Sequence, residues 1–300
     1  MRRTALGFCL CGLAMVTVGS TVVASKLIGE GLPPFTAAAL RFGMALPVFL
    51  LLMFVTRTIV VWPNRRDALL LLAQAALGSV GYMVLLMLGL VLTSAADAGI
   101  VAGTLTAVVA ALAVVLLRER LNGLQLCTVV LASMGVLVVT IGADRPGGAG
   151  GIAAIAGNAL VLGAVVCEAV FLLLNKRLQT PLGPLAQSTV MTALGLLLAL
   201  PFAVLERAWD TTIDMQAIMI VAYYALVPTV AGFLLWYAGA AMLTGAQASL
   251  TTAILPISAV LLAALVLAEP IENAQMIGMV CVLGAVIVGA FAGRGKATKP

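Results

Sequence analysis

The chain has no histidine. That removes histidine-ligated metals and histidine proton relays from the functions it can perform. Charge is scarce as well. Only 9% of its 300 residues are Asp, Glu, Lys or Arg, against about one quarter in an ordinary soluble domain. The net charge is +5, yet the basic residues fall in ones and twos, so the clustered patch of a nucleic-acid binder is missing and no nucleic-acid partner is expected. Five cysteines, Cys9, Cys11, Cys127, Cys167 and Cys281, all lie inside apolar runs without CxxC spacing. They read as helix-packing residues rather than disulfides or metal ligands. No Walker A sequence and no GxSxG occurs, so nothing signals ATP drive or serine-nucleophile chemistry. Neither an enzyme activity nor a cofactor is expected.

What is abundant is apolar surface: 63% of the residues are hydrophobic. A globule in water still needs a polar exterior, so the bilayer is the solvent that fits. Breaking the chain at charges, prolines and polar clusters leaves ten runs of about the 20 residues a helix needs to cross the hydrocarbon core. They cover 4–24, 34–56, 67–91, 95–117, 121–142, 152–174, 182–205, 215–240, 246–267 and 271–292. The predicted fold class is an all-α polytopic membrane protein of ten transmembrane helices. Backbone groups in lipid must pair within their own segment, and no barrel-like alternation is seen. The N-terminus has the basic start of a signal peptide, but its apolar run continues to Ala24. It is read as an uncleaved first helix.

Lysine and arginine set the expected orientation. With the N-terminus inside, the inner segments hold Arg2, Arg3, Arg57, Arg65, Arg66, Arg118, Arg120, Lys176, Arg177, Arg294, Lys296 and Lys299. The outer segments hold only Lys26, Arg145 and Arg207. Both termini are therefore expected on the cytoplasmic side of the membrane.

The stretch VGSTVVASKLIGEGLPPFTAAALRF, from Val18 to Phe42, has a diluted copy 150 residues later, from Glu168 to Thr192. Lys26 aligns with Lys176, Leu32 with Leu182 and Pro34 with Pro184. The same offset over the whole chain gives about 25 identities in roughly 150 pairs. Among them are Gly7 with Gly157, Gly89 with Gly239, Glu119 with Glu269 and Gln125 with Gln275. This predicts two units, 1–150 and 151–300, of five helices each. An odd count makes the second enter from the opposite side, an inverted repeat. The paired segments Ser25–Pro34 and Asn175–Pro184 are expected to be turns that serve as hinges.

Gly19 to Phe42, with its Leu-Arg-Phe ending, resembles the first-helix signature of EamA-type members of the drug/metabolite transporter superfamily. Glu119 and Glu269, each followed by a short turn and a Gly-containing helix, extend the likeness over essentially the whole chain. Within the superfamily it looks most like the YddG-type bacterial amino-acid exporters. It departs from the pattern at Val18 and Thr21, where relatives often carry Trp and Asn. The resemblance implies a ten-helix, inner-membrane exporter of small metabolites, often amino acids. A monomer with a small-molecule substrate and the lipid bilayer as partners is the expected assembly. A quaternary-ammonium or multidrug exporter is the alternative, and an intramembrane enzyme or lipid-handling protein a remote one.

Two intramembrane charges stand out. Glu168 could meet a substrate ammonium or carry a coupling proton, or it could be a neutral acid bonded between helices. Arg41 is read first as structural, capping carbonyls or pairing with an outer carboxylate, and second as a holder of a substrate carboxylate. Tyr82, Met83 and Met87 in the third run, and Phe233, Trp236 and Tyr237 at i, i+3, i+4 in the eighth, form a possible soft wall for apolar side chains. Packing and interfacial anchoring are the competing readings for these aromatics. Thr104 in the fourth run and Thr252 and Pro256 in the ninth mark matched polar, breakable segments that point to a midplane site. The competing reading is hydroxyls bonded to their own helix. Asn158 in the sixth run is a further polar candidate.

Overall fold

The computed structural model describes residues 2–59, 63–117, 123–141, 152–180, 182–208 and 214–292. Among them every regular element is a helix. These are α1 (Arg2–Gly31), α2 (Pro34–Thr56), α3 (Arg65–Leu92), α4 (Ala95–Ala102), α5 (Leu105–Leu117), α6 (Gly123–Ile141), α7 (Ile152–Asn175), α8 (Pro184–Glu206), α9 (Met215–Ala240), α10 (Gly245–Thr251), α11 (Ile254–Val266) and α12 (Asn273–Ala292). Eight are long and apolar enough to cross a membrane, and α4 with α5, bent by 45° at the break, makes a ninth. The helix α11 is apolar but, at 13 residues, shorter than a span. Large side chains point outward throughout, with Phe54 81% and Leu265 80% exposed. That arrangement is stable only where the surroundings are hydrocarbon.

Local chemistry sets the boundaries. Pro34 and Pro184 occupy the first turns of α2 and α8, where no N–H partner is lost. Arg57 and Arg207 end those helices in the left-handed conformation, with φ of 52° and 48°. Asn64, Ser94 and Asp214 cap α3, α4 and α9 by accepting from Asp67, Asp97 and Gln216 backbone N–H groups. The segment expected as a turn from Ser25 to Pro34 is a turn only over its last residues, because α1 continues through Lys26 to Gly31. Its sequence from Ser25 to Glu30 contains no proline, and a tertiary contact of Lys26 holds it, as described below. At the aligned place α7 does stop at Asn175.

Two features recur at the 150-residue offset. The π-helical turns Ala75–Gly81 in α3 and Ala225–Ala231 in α9 occupy aligned positions. So do the close helix crossings. A Cβ on Gly89 would lie 2.9 Å from the Gly157 carbonyl, and one on Gly239 would lie 2.9 Å from the Gly7 carbonyl. Glycine is required there because backbone touches backbone. The aligned pairs α2 with α8 and α6 with α12 also pack directly on one another.

Candidate functional site

Arg41 lies about two turns into α2. Its Nε donates to Thr229 Oγ1 at 3.0 Å, its Nη1 reaches Met83 Sδ at 3.6 Å, and its guanidinium sits 4.2 Å from the Tyr224 ring centroid. Thr229 belongs to the π-helical turn of α9 and donates in turn to the Tyr224 carbonyl at 2.9 Å. The extra residue of that turn is what leaves this carbonyl for a side chain. The expected carbonyl capping or pairing with an outer carboxylate is not what is found: among the described residues Arg41 faces no carboxylate within 4.0 Å. It is half-buried and keeps a solvent-accessible edge.

Glu168, on α7, is half-buried too, and among the described residues its carboxylate makes neither a hydrogen bond nor an ion pair. Tyr82, at the end of the α3 π-helical turn, lies within electrostatic reach of Glu168, Arg41 and Tyr224 together. The interior thus brings one acidic and one basic side chain within electrostatic reach of Tyr82. Cys167 and Phe171 of α7 pack on Gly81 and Gly78 of the turn: a Cβ on Gly78 would fall 2.5 Å from Phe171 Cβ. Only glycines allow α7 to come this close with Glu168 beside Tyr82.

The other sequence candidates fall in three places. Met83 and Met87 are 0% and 2% exposed, in a cluster with Ile28, Phe42 and Tyr224, and Met83 reaches the site through its sulfur. Phe233 meets Tyr237 at a tilt of 54° with centroids 4.5 Å apart, and meets Phe49 edge-on at 5.7 Å. Trp236 accepts through its carbonyl from the Cys11 thiol at 3.8 Å. That face packs against α1 and α2, and the aromatics near the charges are instead Tyr82 and Tyr224. Asn158 accepts from Thr93 Oγ1 at 2.7 Å and donates to Thr140 Oγ1 at 3.2 Å. With Thr104 it lines a lateral groove of about 430 Å³ between α5, α6 and α7, away from Glu168.

The expected helix breaks exist, with one change. Thr252 lies in the break between α10 and α11, whereas Pro256 sits in the first turn of α11, not in mid-helix. The first turn tolerates proline because its N–H groups have no intrahelical acceptor. The two breaks meet: a Cβ on Gly103 would lie 3.0 Å from Pro256 Cβ. Thr104 Oγ1 donates to Val101 O at 2.6 Å, the self-bonded state that was its competing reading.

Three carboxylates outside the candidate site residues act as staples. Glu206, closing α8, accepts from Phe35 N, Thr36 N and Thr36 Oγ1 at the start of α2. Asp67, opening α3, accepts from Gln179 N, Thr180 N and Thr180 Oγ1. Glu269, just after α11, accepts from Lys26 Nζ at 2.7 Å, Ala95 N at 3.1 Å and Ala96 N at 3.0 Å. Burial alone would raise the Glu269 pKa, but the Lys26 hydrogen bond and the two backbone donors outweigh it and hold the carboxyl below its ordinary value. Glu119, the counterpart of Glu269, lies outside the described residues. Among the described residues no three His, Cys, Asp or Glu side chains group as a metal site would need.

Known proteins share this organisation. The EamA-like transporter family profile matches residues 5–141 and again 155–290. The uncharacterized transporter YetK of Bacillus subtilis (strain 168) is 35% identical over 281 residues, covering 92% of this chain and 84% of its own. The uncharacterized transporter YyaM of the same organism is 25% identical over 296 residues, covering 97% and 95%. A crystal structure described only as that of a protein superposes with a TM-score of 0.64 at 20% identity, over 96% of this chain and 98% of its own, which speaks to the fold. Two matches to one profile, one in each half, fall where the 150-residue offset puts the repeat, and the chain belongs to the EamA-like transporter family of the drug/metabolite transporter superfamily.

Proposed function

We propose that this transporter exports small metabolites, foremost neutral and aromatic amino acids, across the bacterial cytoplasmic membrane by alternating access. The observation that carries the substrate reading is the pair of opposed, mutually unpaired charges, Arg41 and Glu168, both within electrostatic reach of Tyr82. An α-amino acid is the small solute that carries a carboxylate and an ammonium together. Arg41 suits the carboxylate, since its planar fork forms paired hydrogen bonds. Glu168 suits the ammonium. Tyr82 and Tyr224 supply aromatic faces for the side chain. A neutral apolar side chain suits the rest, because Met83 reaches Arg41 with its sulfur and packs beside Met87 in an apolar cluster.

The architecture favoured is ten crossings in a 5+5 inverted repeat, 1–150 and 151–300, with α4–α5 and α10–α11 as the two broken spans. The doubled family match and the aligned π-helical turns support it. The twelve-to-three basic asymmetry supports cytoplasmic termini.

The test is flux of labelled amino acids from proteoliposomes, with Glu168→Gln and Arg41→Gln beside the unaltered protein. Efflux that falls in both variants supports the reading; no efflux of any amino acid overturns it. Quaternary-ammonium export is the second reading, favoured by Glu168 beside Tyr82. It predicts loss in Glu168→Gln with Arg41→Gln unaffected.

A further inference from the structure

The contacts of Glu269 do more than one salt bridge does. Its carboxylate holds Lys26 of α1 and, with both oxygens, the first two N–H groups of α4. Glu269 itself follows α11 directly, so one side chain ties the ends of three helices. A second layer lies against it. Gln275 Nε2 donates to Asp97 Oδ1 at 2.7 Å and reaches Ser94 Oγ at 3.4 Å, while Gln275 Oε1 accepts from Glu272 N at 3.0 Å. Beneath both layers the core is filled. Val22, Ala95, Ala96, Ala98, Ala259 and Ala263 are each at most 1% exposed in one cluster. A Cβ on Gly99 would fall 2.4 Å from Ala259 Cβ, so α4 and α11 touch along their backbones.

Among the described residues the other broken helix shows no such ties; Glu119, which aligns with Glu269, lies outside them. The helix α10 packs on α1, α9 and α12, and shares at most marginal contact with α5. The Gln247 side chain, aligned with Asp97, accepts from Thr244 N of its own cap. Lys176, aligned with Lys26, is exposed and has no ion pair among the described residues. Among the described residues the two ends of the repeat therefore differ in packing, and the tighter one is at Lys26.

We propose that Glu269, Lys26 and the N-terminus of α4 form a latch that holds the Lys26 face of the transporter shut and releases as a unit when that face opens. This rests on the alternating-access reading and not on the identity of the substrate. The carboxylate is the centre of the latch, because it alone touches all three helices. Lys26 is the lesser member, since the two backbone donors remain without it.

Thiol labelling tests this. Val22→Cys, placed in a chain whose five native cysteines are replaced by Ala, sits under the latch. Each variant is reconstituted in both orientations and exposed to a membrane-impermeant maleimide. Glu269→Gln is expected to speed labelling from the Lys26 face by roughly tenfold or more, the effect of losing charge-assisted hydrogen bonds. Lys26→Gln is expected to speed it less. The swap Lys26→Glu with Glu269→Lys is expected not to restore protection, because lysine cannot accept from Ala95 and Ala96 N–H. Met191→Cys, in a cluster with Leu71 and Ala75, serves as the folding control. Unchanged labelling of Val22→Cys in Glu269→Gln, full restoration by the swap, or parallel exposure of Met191→Cys would each overturn the latch. Lack of amino-acid flux with the labelling pattern intact would sink only the substrate reading.

Discussion

Replacing Arg41 with lysine keeps the charge but removes the planar group that both bonds Thr229 and covers the Tyr224 ring. Lysine cannot form the paired bonds of a guanidinium with a carboxylate. Arg41→Lys is expected to raise the KM for amino-acid efflux about tenfold, the effect of about 1.4 kcal/mol, with little change in protein yield. Initial-rate flux measurements check this. Thr229→Val removes the hydroxyl that Arg41 uses and leaves the Tyr224 carbonyl without its donor. A smaller KM rise than that of Arg41→Lys is expected, because the ring contact survives. Glu168 was legible from sequence as an isolated charge in an apolar run. What Arg41 touches was not, because its residue type and depth do not name Thr229, Met83 or Tyr224 as its neighbours.

Helix crossings are where the two halves repeat each other most plainly. Gly89 meets Gly157 and Gly239 meets Gly7, each with carbonyl oxygen at 2.9 Å from a would-be Cβ. A valine at Gly89 has to push α3 off α7, and overpacking of this kind costs about 1–3 kcal/mol. Gly89→Val is therefore expected to lower the melting temperature of the detergent-solubilised protein and to cut flux, while Gly123→Ala, with open space around its Cβ position, leaves both unchanged. Differential scanning fluorimetry beside the flux assay separates the outcomes. The sequence showed these glycines as matched pairs but not who packs on whom. The partner of each comes from the opposite half, a long-range choice that local pattern does not encode. The π-helical turns were missed for a related reason. Gly78, Gly81 and Pro228 weaken the helices at those places, but weak helix does not reveal the extra residue per turn.

For the molecule as a whole, acid should loosen the Lys26 face. The Glu269 carboxyl has a folded pKa below its ordinary value of 4.5. Its stabilisation is therefore fully present above that value and is lost as pH falls through the lower, folded value. The neighbouring Asp97 is held by Gln275. Thermal unfolding from pH 7 down to about pH 3 is expected to show a decline that is smaller in Glu269→Gln, whose side chain does not titrate. A decline of equal size in both would assign the acid sensitivity to other carboxylates. The orientation has its own check. Reporter fusions at each terminus, one active only inside and one only outside, are expected to place both ends in the cytoplasm.

By itself the sequence determined the solvent, the element type and the repeat. These follow from sums and periods: 63% apolar residues leave no exterior for water, helices are what such runs form in lipid, and an offset of half the chain survives in glycines and charges. Tertiary structure decided which residues meet. It moved Lys26 from a supposed turn into α1 and gave it Glu269, 243 positions away. It put Pro256 into a first turn, placed Phe233 between Phe49 and Tyr237, and brought Arg41, Tyr82 and Glu168 to one interior. The physical reason is the same in each case. Apolar helices carry little that tells one face from another, so the neighbours are chosen by glycine-sized gaps and by buried carboxylates that need donors, and both are satisfied only across the assembled bundle.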